Sequence, residues 1–421
     1  MPVPPQPPQP GRASDSAPEA APDQSDDLDV DVVLAVHTPT RPIERAVESV
    51  LRGGLGPPRI RVTVVCHNLD AAVIEQRLTA RSGATGGLPD GVRVLELHDG
   101  IRSPAGPFNH GLDRASARFV SIMGSDDTVD PGTYAAWLAI ADAHHSSAVV
   151  AAVRTTMTGR VPTPAVRPGH TRDLDPIRDG LAYRTAPLGL VRRSEVERLG
   201  LRLTDGLPSG EDQEFSARLW FGGGRIDYAA GAGDYVVHDD QADRVTAAPY
   251  DLETRFRFAT LLVTGEWFPR QDRKVREALV TKLLRVHVVP TVTAPGGAGG
   301  WEPAQRHTAK GIVDTIVAAA PGALASLSRA ERRTVDALRD PTTPLGDLLS
   351  AATRARRFAR PSAVLTRDPR NLLRPDAPPR WVTASAVMSA RDRLAARRQP
   401  VTSSTKHQRH ASPGSNERMT L

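Results

Sequence analysis

Two pairs of adjacent carboxylates are the first places in this 421-residue chain where chemistry is legible. Asp126 and Asp127 follow directly on the apolar run 119–123, and Glu211 and Asp212 open an amphipathic segment that runs to Trp220. Side-by-side carboxylates repel, so each pair needs a cation, a donor-rich ligand or a helix N-terminus beside it. The first pair suits a divalent metal, which takes hard oxygen ligands. Its alternative is a solvated turn in which Asp130 and Pro131 cap the next helix. The second pair suits a general base whose pKa is lifted by burial or by its like-charged neighbour. Its alternative is a pair of acids favouring the positive end of a helix dipole.

The elements that must position these residues are readable from periodicity. Apolar runs at 30–36, 60–66, 92–97 and 118–123 alternate with helix-like stretches at 42–53, 71–83, 109–117 and 131–145, and a further run covers 147–153. Such alternation predicts βαβ units, a mostly parallel Rossmann-type sheet flanked by helices, with ligands at the carboxyl ends of the strands. Asp126 then stands at the end of the fourth strand. His37, Thr38 and Arg41 follow the first, and His67 and Asn68 the second. The Thr38-Pro39 step also suits a turn into the next helix. Further on, 186–193 reads as a short strand, 194–200 as a brief helix with Ser194 as its N-cap, and 209–224 as a helix. Strands at 225–230 and 234–238 follow, the latter ending in His238, and 250–340 is helical in pattern. The expected organisation is a disordered arm (1–28), an α/β domain (29–250), a helical region (251–345) and a basic, largely disordered tail (346–421).

Composition narrows the function classes. The formal charge is +6, but residues 351–421 carry 15 Lys/Arg against 4 Asp/Glu, so the basicity belongs to the tail. With aromatics at 4% and no zinc-finger spacing, nucleic acid is not an expected partner. The single cysteine, Cys66, excludes an intramolecular disulfide framework. No stretch approaches the ~20 apolar residues of a spanning helix, and the first 27 residues lack the apolar core of a signal peptide, so the expected location is cytoplasmic. The Arg-rich segment 351–398, with scattered apolar residues, suits either an anionic membrane surface or a solvated tail.

The ordered set VVLAVHTPTRPIERAVESVL, VTVVCHN, PFNHGLDRASARFVSIMGSDD, APLGLVRR, SGEDQEFSARLW and YVVHDDQADRVT resembles the family 2 glycosyltransferases, inverting enzymes of the GT-A fold that use nucleotide-diphosphate sugars. The resemblance spans residues 30–246. It implies a GT-A-like domain, Mg²⁺ or Mn²⁺ as cofactor, a nucleotide-sugar donor and a saccharide or lipid-linked acceptor. It also implies Asp126 on the metal with His238, and Asp212 as base with Glu211 supporting it. The donor is then lined by His37, Thr38, Arg41, His67, Asn68, Asn109, Ser125, Asp127 and Arg244. His238 has an ordinary surface role as its alternative, and Arg244 an ion pair with Asp240 or Asp243.

The chain departs from the family in three places. Gly124 stands where the first acid of the metal motif is usual, and Phe108 replaces the Arg of an Arg-Asn pair. The second strand ends in Cys66-His67-Asn68 instead of in an Asp that reads the base. These departures motivate a second reading, a non-catalytic relative that binds a nucleotide sugar or scaffolds a glycan-assembly complex.

Overall fold

The computed structural model describes residues 27–390 apart from 83–86, 162, 165, 168, 241–249, 295–300, 385, 388 and 389. The four apolar runs become β1 (Val30–Val36), β2 (Ile60–His67), β3 (Val92–Leu97) and β4 (Phe119–Gly124). Helices α1 (Ile43–Leu51), α2 (Ala71–Ser82), α3 (Ala105–Asp113) and α4 (Thr133–His144) alternate with them. β1 is buried almost throughout, as a central parallel strand covered on both faces must be. Asp31 within it is fully buried, and its carboxylate is compensated by Arg61 at 2.7 Å and Thr63 at 2.6 Å on β2, which pins the register of the pair.

The apolar run 147–153 does not form one strand. It breaks at Ala151 into β6 (Ala148–Val150) and β7 (Ala152–Thr155), which belong to different sheets. With β5 (Thr128–Val129), β8 (Gly159–Arg160), β9 (Gly189–Arg192), β10 (Ile226–Tyr228) and β11 (Asp234–Val237), the strands among the described residues make two sheets. One is seven-stranded, in the order β10-β6-β9-β4-β1-β2-β3, and the other four-stranded, β5-β11-β7-β8. In the large sheet only β9 runs antiparallel to its neighbours. β1 lies between β2 and β4, so the winding direction reverses there and opens a crevice at the carboxyl ends of these strands.

Three expectations about helix starts are corrected. α3 begins at Ala105, not at 109, because Pro107 falls in a first turn whose N–H groups need no intrahelical partner, and the helix has ended by Arg114. α5 (Arg193–Leu199) starts before Ser194, which lies inside it and caps nothing. Asp130 does not cap α4 either: Gly132 holds that position at φ 78°, and the Asp130 carboxylate accepts from Arg154 Nη2 (2.7 Å) and from the Asp234 N–H (3.1 Å). Asp130, directly after β5, thus ties β7 and β11 of the small sheet to the start of α4.

After α6 (Asp212–Trp220) of the α/β part, the helical region begins with α7 (Leu252–Thr264) and α8 (Arg273–Lys282). The last runs through a π-helical stretch, Leu283–Val288, into the single turn α9 (Val289–Thr291). α10 (Pro303–Ala319), α11 (Arg329–Arg339) and α12 (Leu345–Ala355) follow. One buried cluster joins Tyr183, Leu207 and Ala217 of the α/β part to Phe256, Leu279 and Leu283, so the helices share a core with α6. The tail expectation is also corrected. Leu348, Ala351, Ala352 and Ala355 repeat at helical spacing and are buried, and the Trp381 ring packs 3.9 Å from that of Tyr183. The ordered body therefore extends well past residue 346. No helix among the described residues is long and apolar enough to cross a membrane.

Candidate functional site

The crevice holds a cleft of about 810 Å³, lined by His37 and Arg41 after β1, His67 and Asn68 at the end of β2, and Gly124, Ser125 and Asp126 at the end of β4. The β3–α3 connection contributes Gly100 to Pro104, α3 adds Pro107 and Phe108, and Tyr250 closes the lining. Asn68 takes a left-handed φ of 53°, which Asn tolerates better than most residues, and this turns the chain out of β2 into the cleft wall.

Donors surround the first acidic pair. Arg41, itself 7% exposed, places Nη1 2.6 Å from Asp126 Oδ2, and Arg45 Nη2 donates to the Asp126 carbonyl. Asp127 turns away from the cleft: Oδ2 accepts from the Tyr235 hydroxyl (2.7 Å) and Oδ1 from the His238 N–H (3.2 Å). A Cβ on residue 124 would stand 2.7 Å from Asp127 Oδ2. The glycine is therefore part of the same arrangement, since the Asp127 carboxylate fills the space an acid at 124 would need. Asp126 keeps one carboxylate oxygen, Oδ1, without a hydrogen bond among the described residues and lines the cleft. That fits a Mg²⁺ or Mn²⁺ ion, which needs only one or two protein carboxylates beside phosphate and water. No group of three His, Cys, Asp or Glu side chains able to hold a metal occurs among the described residues.

The second acidic pair is held by another part of the chain. Ser103 in the cleft wall donates to the Leu207 carbonyl (2.7 Å), and Asn109 on α3 binds Leu203 and Asp205, so the loop into α6 is fastened beside the cleft. Glu211 occupies the N-cap position of α6 but makes no side-chain cap bond. Burial, then the adjacent Asp212 carboxylate, pushes Glu211 up to about 7. Burial also raises Asp212, against the pull of Lys282. Lys282, 2% exposed on α8, donates to Gln213 Oε1 and is itself lowered to about 7 by burial, with Asp212 opposing. One proton is thus easily accepted or released around Glu211 and Asp212 near neutral pH, the property a general base requires.

The remaining site expectations divide. His37, Arg41, His67, Asn68, Ser125 and Asp126 line the cleft together. Thr38 does not: its hydroxyl pairs with Thr40 (2.6 Å) and shapes the turn. Asn109 is corrected from donor contact to loop anchor, because its amide is fully engaged by Leu203 and Asp205. Asp127 is likewise absent from the lining, for the reason given above. His238 Nε2 is 2.9 Å from Thr128 Oγ1, and the histidine is lowered by burial and by Arg45; Asp126 is within electrostatic reach. Arg244 lies outside the described residues. The sequence reading missed Asp99, Arg102, Tyr250 and Lys282. For Asp99 and Arg102 a signal existed, since they follow a strand end; for Lys282, an ordinary helix residue by spacing, there was none.

Neither a family model nor a curated protein sequence matches the chain. Solved structures do. S. aureus TarS 1-349 in complex with UDP-GlcNAc matches with a TM-score of 0.62 at 16% identity, over 78% of this chain and 92% of that one. The UDP complex gives 0.61 at 16% identity, over 79% and 92%. The longer TarS structure also gives 0.61 at 15% identity, over 78% of this chain and 55% of that one. At such identity the likeness establishes the fold. The protein has the expected GT-A-like architecture, a mostly parallel α/β sheet continued by a helical C-terminal region, as in these TarS structures.

Proposed function

We propose that the protein is an inverting glycosyltransferase that moves a sugar from a nucleotide-diphosphate donor to a hydroxyl of a saccharide or lipid-linked acceptor, in the synthesis of a surface polysaccharide or glycolipid. The observation that carries this reading is Asp126 among guanidinium groups in the cleft at the end of β4, together with a proton-holding pair, outside the cleft lining, on a helix whose preceding loop is fastened to the cleft wall through Ser103 and Leu207. UDP-GlcNAc in a structure of the same fold supports a nucleotide-sugar donor.

Arg41 and Arg102 supply positive charge along the cleft for the diphosphate. Asp126 would hold Mg²⁺ or Mn²⁺, which when bound neutralises charge on the departing diphosphate. Asp212 takes the acceptor proton as the acceptor oxygen attacks the anomeric carbon and the bond to the diphosphate breaks on the opposite face, which inverts the centre. Glu211 and Lys282 set the proton affinity of that base. A screen of nucleotide sugars, starting with UDP-GlcNAc and with and without Mn²⁺, tests the proposal by thermal shift and by release of nucleoside diphosphate. Stabilisation by one donor together with its slow hydrolysis is expected. Failure of every donor to bind or turn over would sink it.

The Arg41–Asp126 contact and the missing acid at 124 favour a second reading, a binding protein without turnover. Tight donor binding with no hydrolysis or transfer to any acceptor would select it. The proposal places the enzyme in the cytoplasm, with the basic tail against an anionic membrane. Deleting residues 391–421 should then reduce low-salt sedimentation with anionic vesicles.

A further inference from the structure

A small cavity of about 10 Å³ lies between α6, α8 and the segment 182–185, with room for one water molecule or one monatomic ion. Its polar lining is Arg184, Thr185, Gln213, Ser216 and Lys282, and the rest is alanine, leucine and tryptophan. Two cations and no carboxylate therefore meet there. Arg184 is 5% exposed, and its Nη2 donates to the Ala151 carbonyl (2.6 Å), where the chain passes from one sheet to the other. Its Nε is buried and has no hydrogen bond among the described residues. The main chain beside it is fixed, because Trp220 Nε1 donates to the Arg184 carbonyl (2.7 Å).

Lys282 donates one N–H to Gln213 Oε1 and has two more to give. Neither cation makes an ion pair with a carboxylate among the described residues. Burial pushes Arg184 down to about 10 and Lys282 down to about 7, and Asp212 opposes the fall only at Lys282. With Lys282 protonated and one proton held between Glu211 and Asp212, two positive charges face one negative. Uncompensated charge in such surroundings is costly, and one monovalent anion balances it. Water would offer lone pairs but no charge, and phosphate is too large for the volume.

We propose that the cavity binds a single halide ion, chloride under cellular conditions, held between the Arg184 guanidinium and the Lys282 ammonium. The site lies apart from the cleft that takes the donor, and it does not depend on the transferase reading. Around it stand Glu211 and Asp212 of α6, His287 beyond α8, and Tyr228 and Tyr235 of β10 and β11. Lys282 must keep its proton to hold the ion, and Glu211 and Asp212 repel it less when protonated. Both effects make halide binding tighter at lower pH. The ion in turn favours the charged lysine beside the proposed base.

Melting temperatures of the full chain are compared in chloride, bromide and gluconate at equal ionic strength, gluconate being too large to enter. Either halide should raise the melting temperature by about 2 °C or more over gluconate, increasing with the logarithm of its concentration. The rise should shrink between about pH 6 and about pH 8, as Lys282 loses its proton. Arg184→Met keeps an apolar stem and removes the charge, so the halide-dependent rise should fall below about 0.5 °C. A bromide-soaked crystal of the wild type should show an anomalous peak between Arg184 and Lys282, a readout that needs no variant to fold. A peak without a halide-specific rise marks an adventitious ion only and overturns the assignment. So does a rise without a peak in the cavity, the absence of both, or a rise of full size in folded Arg184→Met.

Discussion

Asp126–Asp127 and Glu211–Asp212 are the same two-letter feature in the sequence, and the structure treats them oppositely. The first pair is split: Asp126 faces the cleft against Arg41, while Asp127 folds back onto Tyr235 and the His238 N–H. The second pair is half-buried at a helix start without a side-chain cap bond, and burial, then the Asp212 charge, lifts Glu211 to about 7. Donors surround the first pair; burial and the scarcity of donors around the second favour a shared proton. The same residue types therefore suit charge binding in one place and proton transfer in the other.

The largest effect expected from breaking this contrast is at Asp212. Asp212→Asn keeps the helix but cannot accept a proton, so transfer should fall roughly 10²–10⁴-fold. Affinity for the donor diphosphate should hardly change, which calorimetry on the same preparation checks. Normal turnover with a slightly lowered melting temperature would reduce the residue to a helix-dipole role.

At the other pair, Asp126→Ala should weaken Mn²⁺-dependent donor binding by about tenfold or more, as loss of a charge-assisted contact implies. Titrating donor with and without Mn²⁺ reads this directly. Identical Mn²⁺ dependence in variant and wild type would make the Arg41–Asp126 contact purely structural.

The proton-holding character of the second pair predicts a pH profile. A base must be deprotonated, and burial raises both Asp212 and Glu211, so turnover should decline with falling pH before the ordinary carboxylate range is reached. Lys282→Met removes the charge that opposes this rise and should move the acid limb to higher pH by about one unit or more. An unmoved limb with an unchanged melting curve would detach Lys282 from the base.

The smallest effect sharpens the first pair. Gly124→Asp restores an acid at the position the family motif favours, but its Cβ would meet Asp127 Oδ2 at 2.7 Å and add a third negative charge. A loss of about 1–3 kcal/mol is expected, with no gain in Mn²⁺ binding, measured by denaturant unfolding and by Mn²⁺ titration. A stabilised variant with tighter Mn²⁺ binding would show that Asp127 moves aside.

How much of this was legible depends on the range of the forces involved. The four parallel strands came from local apolar runs, and β1 and β3 have the expected limits, because burial on both faces writes itself into consecutive residues. Asp126 at a strand end followed from those limits alone. Ala148–Thr155 shows the failure: a switch between sheets at Ala151 leaves the apolar pattern unbroken, so nothing local marks it. The sequence by itself determined the α/β alternation, the two acid pairs and their places at element ends, since these depend on residues a few positions apart. Only the tertiary structure decided that Asn109 anchors a loop, that Asp127 fills the space at Gly124, that Asp99 meets His67 across two strands, and that Lys282 lies beside Asp212. Each of those last facts is a contact between segments tens of residues apart, and electrostatics and hydrogen bonding act through space without regard to position along the chain.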